Sequence, residues 1–157
     1  MKEKLKQFIK ENYVKEKELF FGSMRKAVYY DYECAGNIDE YINDNKDESK
    51  FQTLLFKYID ERKLKDSDVY NKVNIDRRLF SKIRSDASYH PSKETIILLG
   101  LSLELSEDDI ISLLESASYS LPKNNYFDLI IRFCFINKIY KLDEVNELLY
   151  DYNCKCL

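Results

Sequence analysis

The residues able to do covalent or metal chemistry are few. One histidine, His90, and four cysteines, Cys34, Cys134, Cys154 and Cys156, are the only soft ligands and thiol nucleophiles in the chain. A structural zinc site needs about four such ligands in closely spaced pairs. Here only Cys154 and Cys156 are neighbours, as a CxC, and the other two show no matching spacing. A single histidine excludes the HExxH zinc helix. A Ser-His-Asp relay would have to use His90, which precedes Pro91 and has no glycine-flanked serine to accompany it. Neither a GxxxxGK phosphate loop nor a GxGxxG turn occurs. These exclusions favour a binding protein over an enzyme, with no metal and no cofactor.

The second kind of chemistry is electrostatic. Between Arg77 and Ser85 the apolar residues Leu79, Phe80 and Ile83 share one helical face, and Arg77, Arg78, Ser81, Lys82 and Arg84 occupy the other. Residues 51–93 carry 10 basic and 6 acidic groups, a net +4, against −1 for residues 1–50 and −6 for residues 94–157. The overall charge of −3 therefore hides a basic segment between less favourable neighbours. A basic helix face attracts phosphate and gives salt-dependent binding. Arg77 and Arg78, at the front of the helix, are placed to reach guanine edges or phosphates. Ser81 and Lys82 lie one turn further on, and Arg84 and Lys93 suit the nucleic-acid backbone. Ser67 and Lys72, on the preceding short helix, complete the candidate DNA-contacting set.

The elements that must hold this face read as helices almost throughout. Residues 3–13 place Leu5, Phe8, Ile9 and Tyr13 on one face. Tyr29, Tyr30 and Tyr32, a Gly36-Asn37 pair and a short amphipathic piece with Ile38, Tyr41 and Ile42 follow. The polar run Asn43–Lys50 reads as a linker. The division expected is an N-terminal helical arm and linker at 1–50 and a helical domain at 51–157. In the domain, Phe51, Leu54, Leu55, Tyr58 and Ile59 mark a core-facing helix. Asp66 or Ser67 is the expected cap of a short helix carrying Val69, Tyr70 and Val73. Asn74 suits the left-handed turn that ends it. Asp76 is the expected cap of the basic helix, with Ile75 stapling to Phe80. Ser92, Ser106, Asn124 or Asn125, and Asp143 are expected to open the later helices, the last two of which extend the domain or form a dimer face.

Composition supports an all-α, compact helical bundle. Glycine (3) and proline (2) are too scarce for the turns of a many-stranded β fold, and 45% apolar residues suffice for a core. No apolar run approaches the ~18–20 residues needed to cross a bilayer, and the charged MKEKLKQFIKENY start has no signal-peptide core. The expectation is a soluble, cytoplasmic chain with reduced thiols and no membrane contact.

Short helix, tight turn and basic-faced helix form the arrangement that reads DNA. Residues 51–117 resemble the Xre/Cro/λ-repressor-type helix-turn-helix family, whose fold is a five-helix bundle. Val69 and Val73 match its apolar positions in the first helix of the motif. Asn74 stands at the turn glycine, Ile75 at the apolar turn residue, and Asp76 at the cap of the recognition helix. Phe80 and Ile83 match that helix's buried positions, and Pro91-Ser92 the start of the next. Tyr70 replaces a small alanine, so the two helices must pack differently there. Ser67 replaces a glutamine that often touches the DNA backbone, and Asp86 stands where glycine is frequent. The segments DSDVYNKVNIDRRLFSKIRSD and HPSKETIILLGLSLEL also resemble a C-terminal module of some bacterial macro-domain and von Willebrand A-domain proteins.

The resemblance implies a transcriptional regulator that binds double-stranded DNA as a homodimer, with the helix at about 77–85 as its recognition helix. The alternative is a protein-binding adaptor or regulatory subunit on the same scaffold. It would engage a protein partner through the N-terminal arm or the acidic C-terminal helices.

Overall fold

The computed structural model describes residues 1–14 and 50–157. Cys34, Tyr29, Tyr30, Tyr32, Gly36-Asn37, Ile38, Tyr41, Ile42 and the polar residues 43–49 lie outside the described residues. Among the described residues there are eight α-helices and no strand. They are α1 (Lys2–Asn12), α2 (Lys50–Glu61), α3 (Asp66–Lys72), α4 (Arg77–Ser85), α5 (Lys93–Ser102), α6 (Glu107–Ser116), α7 (Tyr126–Ile136) and α8 (Leu142–Asp151). The chain is an all-α bundle. No helix among them is long and apolar enough to cross a membrane.

Local chemistry sets most of the boundaries. Asp76, Ser92, Ser106 and Asn125 each precede a helix and accept backbone N–H bonds from its first turn. Two expected caps move. Helix α3 starts behind Lys65, whose backbone N–H is bonded by the Asp68 carboxylate at 3.3 Å, so Asp66 and Ser67 lie inside the helix. Helix α8 starts behind Lys141, which places Asp143 in the first turn, where its charge complements the helix dipole.

The helix ends explain how the chain manages with so little glycine. Lys63, Asn74, Glu104, Ser118, Lys138 and Asn153 all adopt left-handed backbone, with φ between 51° and 60°. In each case the following N–H reaches back to a carbonyl in the last turn. The pairs are Leu64 to Ile59, Ile75 to Tyr70, Leu105 to Gly100, Tyr119 to Leu114, Ile139 to Cys134 and Cys154 to Leu149. This is the Schellman closure, repeated six times without a glycine. A Cβ in this conformation costs roughly 1–2 kcal/mol. Burial of the next residue offsets the cost at Ile75, Leu105 and Ile139. The one described glycine, Gly100, has another purpose. A Cβ there would lie 2.5 Å from Ile110 Cδ1 and 3.2 Å from Phe135 Cζ, so its missing side chain lets α5 lie close to α6 and α7.

Helix α6 packs on α2, α5 and α7, while α3 contacts both α4 and α5. Helix α5 is deeply enclosed, with Ile96, Ile97, Leu99, Gly100, Leu101 and Ser102 all buried. The Ser102 hydroxyl donates to the Val69 carbonyl at 2.6 Å and ties α5 to α3. At the other side α7 receives α1 and α8. Leu5 and Ile9 are buried in the common core, the Phe8 ring lies 5.5 Å from that of Phe133, and the Lys2 ammonium pairs with Glu147 and Asp151. The first helix of the expected arm is thus seated on the bundle.

Candidate nucleic-acid interface

The candidate face is built from α3, the turn after it, and α4. Val69 and Val73 are buried, anchoring α3. Asn74, at φ 55°, reverses the chain, and the Ile75 N–H bonds the Tyr70 carbonyl at 2.9 Å. Ile75 then drops into the core, and Asp76 Oδ1 accepts from the N–H groups of Arg78 (2.7 Å) and Leu79 (3.3 Å). Helix α4 buries Phe80 and Ile83. The Phe80 ring packs edge-on against Phe56 at 6.5 Å and lies 5.7 Å from Tyr70. The half-buried Tyr70 is thereby accommodated at the edge of the helix pair.

The far end of α4 is clamped. Gln52 Nε2 donates to the carbonyls of Ile83 (2.6 Å) and Asp86 (2.7 Å), which satisfies groups left open at the helix terminus. The Asp86 carboxylate accepts from the Ser88 hydroxyl (2.6 Å) and N–H (3.0 Å), and those bonds hold it below the usual carboxylate range. With both ends fixed and one face buried, the opposite face of α4 has a set orientation.

That face holds Arg77, Arg78, Ser81, Lys82 and Arg84, all exposed. Their surroundings differ. Arg77 and Arg78 have no carboxylate partner among the described residues, and the first turn of α4 contains no acidic residue. The Lys82 ammonium sits 4.4 Å from the centroid of the Tyr89 ring. Arg84 pairs with Asp66 at 2.5 Å and lies 4.1 Å above the Phe56 ring.

The remaining candidates are dispersed. Ser67, half-buried on α3, donates to the neighbouring Asp68 carboxylate at 3.5 Å. Lys72 binds Glu104 at 2.5 Å and the Ser102 carbonyl at 3.2 Å. Lys93 points into the bundle. Its ammonium pairs at 2.5 Å with Asp128, whose side chain is 3% exposed and also accepts from Asn125 Nδ2 at 2.6 Å. Five of the eight candidates therefore share one helix face, and Lys93 is held by the fold. The sequence pattern singled out Asp66 only as a cap and did not single out Gln52 or Tyr89, yet all three act on α4 from other elements. Nothing in local periodicity marks them.

Cys134, Cys154, Cys156 and His90 lie elsewhere. His90 Nε2 donates to the Ala117 carbonyl at 2.8 Å, leaving Nδ1 toward the Tyr119 hydroxyl at 3.4 Å. Cys134 is buried, and burial pushes its thiol up to about 12. Among the described residues, no group of three or more His, Cys, Asp or Glu side chains is placed to hold a metal ion. No protein-family model, characterised protein or solved structure matches the chain.

Proposed function

We propose that this chain binds double-stranded DNA through α4 and regulates transcription as a cytoplasmic homodimer, in the manner of the Xre/Cro/λ-repressor-type helix-turn-helix proteins it resembles. The observation carrying this reading is the pair Arg77 and Arg78, exposed and without carboxylate partners in the first turn of a fixed helix. A helix N-terminus already bears positive partial charge, so cations placed there oppose the dipole. The capping Asp76 carboxylate offsets part of that charge, the two guanidiniums outweigh it, and a phosphate or a guanine edge complements what remains. Arg77 and Arg78 supply base or phosphate contacts, with Ser81 and Lys82 following one turn along.

Titration of labelled duplex DNA at two salt concentrations tests the reading. Affinity must fall with salt, and Arg77→Gln with Arg78→Gln must weaken it. Unchanged affinity in that variant would overturn the site.

A second reading, a protein-binding adaptor, is favoured by one observation. Tyr13, Tyr126 and the partly buried Tyr152 form a row of tilted ring contacts, with centroids 5.3 and 5.8 Å apart, Tyr13 and Tyr126 exposed and Tyr150 76% exposed nearby in sequence. Exposed aromatic groups of this kind suit a protein interface. A stoichiometric protein partner lost on Tyr126→Ala, together with no measurable DNA affinity, would favour it.

A further inference from the structure

Helix α4 carries a row of outward side chains that the fold treats unequally. Ser81 follows Arg77 by one turn. Arg84 follows by two, returning to within about 20° of the same direction around the helix. Arg84 therefore closes the row that Arg77 opens. Arg77 has no carboxylate partner among the described residues, whereas Arg84 Nη2 lies 2.5 Å from Asp66 Oδ1 at the start of α3.

The pair is exposed, at 48% for Arg84 and 37% for Asp66. Exposed ion pairs of this kind add little to stability. Nor is Asp66 needed to orient Arg84, because the guanidinium already rests 4.1 Å over the Phe56 ring. What the carboxylate does change is charge. A guanidinium bonded to a carboxylate presents little net charge to a second anion, and a carboxylate and a phosphate offer it the same kind of oxygen acceptor.

We infer that Asp66 competes with DNA phosphate for Arg84 and sets the affinity of the α4 face. The inference rests on the DNA-binding reading. In the wild-type chain Arg84 remains neutralised by Asp66, and the phosphate contacts come from Arg77, Arg78 and Lys82. Asp66→Asn keeps the size of the side chain and its place in α3 but frees the guanidinium to meet the next phosphate along the groove.

The test is a fluorescence-anisotropy titration of a mixed-sequence duplex of about twenty base pairs, two helical turns, between about 50 and 200 mM salt. Four full-length proteins are compared: wild type, Asp66→Asn, Arg84→Gln and the double variant. Circular dichroism checks that each is folded. Asp66→Asn is expected to bind up to about fivefold tighter at 0.1 M salt, the ceiling set by the ~1 kcal/mol of an exposed ion pair, with a salt slope steeper by up to about 0.9, the value of one added phosphate contact. Both gains must vanish in the double variant. Unchanged affinity, a gain without a steeper slope, or a gain that survives Arg84→Gln would overturn the role of Asp66. Arg77→Gln with Arg78→Gln, run beside them, separates the two failures. If that variant binds as wild type does, the DNA-binding site itself is wrong. If it weakens binding while Asp66→Asn changes nothing, only this inference fails.

Discussion

Replacing Arg77 and Arg78 by glutamine should stabilise the fold while weakening DNA binding. Both residues occupy the first turn of α4, which has no acidic residue. A charge opposing the dipole at an exposed helix end contributes about 0.3–1 kcal/mol. Arginine and glutamine have similar helix propensities, so removing two such charges leaves a gain of about 1 kcal/mol. For a chain of this size that raises Tm by roughly 2–4 °C. The loss of binding follows from counterion release. Two phosphate contacts contribute about 1.8 to the salt slope, so at 0.1 M salt their removal costs about 60-fold in affinity. Differential scanning fluorimetry and anisotropy titration on the same preparations supply both numbers. A lower Tm would show that the arginines support the fold, and any loss of binding would then say nothing about contacts. A higher Tm with undiminished binding would refute the placement of the interface.

Four further outcomes are expected. Lys93→Met should destabilise the protein by about 3 kcal/mol in chemical denaturation, since it leaves the buried Asp128 carboxylate without its cation, and it should leave the DNA salt slope unchanged; a shallower slope would return Lys93 to the interface. Lys138→Gly and Lys63→Gly should each raise stability by about 0.5–1 kcal/mol by relieving a left-handed Cβ, and a lower urea midpoint would contradict the assigned turn. Tyr58 is pushed up to about 12 from 10.0 by burial first and by Asp109 second. Its folded-state value is raised, so the stability linked to it is intact below pH 10 and is lost as pH climbs toward 12; Tyr58→Phe should flatten the stability–pH curve in that window only. Alkylation of the native protein followed by peptide mapping should modify exposed Cys156 and spare buried Cys134 until denaturant is added.

The parts of this molecule that were legible in the sequence are those fixed by a few adjacent residues. Asn74, Ile75 and Asp76 announce a left-handed turn, an apolar anchor and a cap, and each takes that role. The apolar periodicity of residues 51–59 and of residues 77–83 likewise marks the buried faces of α2 and α4, because it reflects one helix against one core. Other features depend on partners distant in sequence. Lys93 looks like any cation at a helix start, and its commitment to Asp128, 35 residues away, follows only from the packing of α5 against α7. The same holds for Arg84 with Asp66 and Lys72 with Glu104. Five of the six left-handed helix ends also escape notice. Lys63, Glu104, Ser118 and Lys138 have no intrinsic taste for that conformation, and Asn153 gives only a weak hint. They are held there by the tertiary burial or backbone closure that follows.

The most direct test is the salt dependence of wild-type binding to duplex DNA. Arg77, Arg78 and Lys82 are exposed on α4 and make no ion pair with a described residue. Three phosphate contacts from these cations give a log–log slope of about −2.7 for each chain bound, doubling in a symmetric dimer. Anisotropy titrations between about 50 and 200 mM salt should return that slope. Undetectable binding at the lowest salt, or binding whose affinity does not change with salt, would contradict a DNA-reading α4.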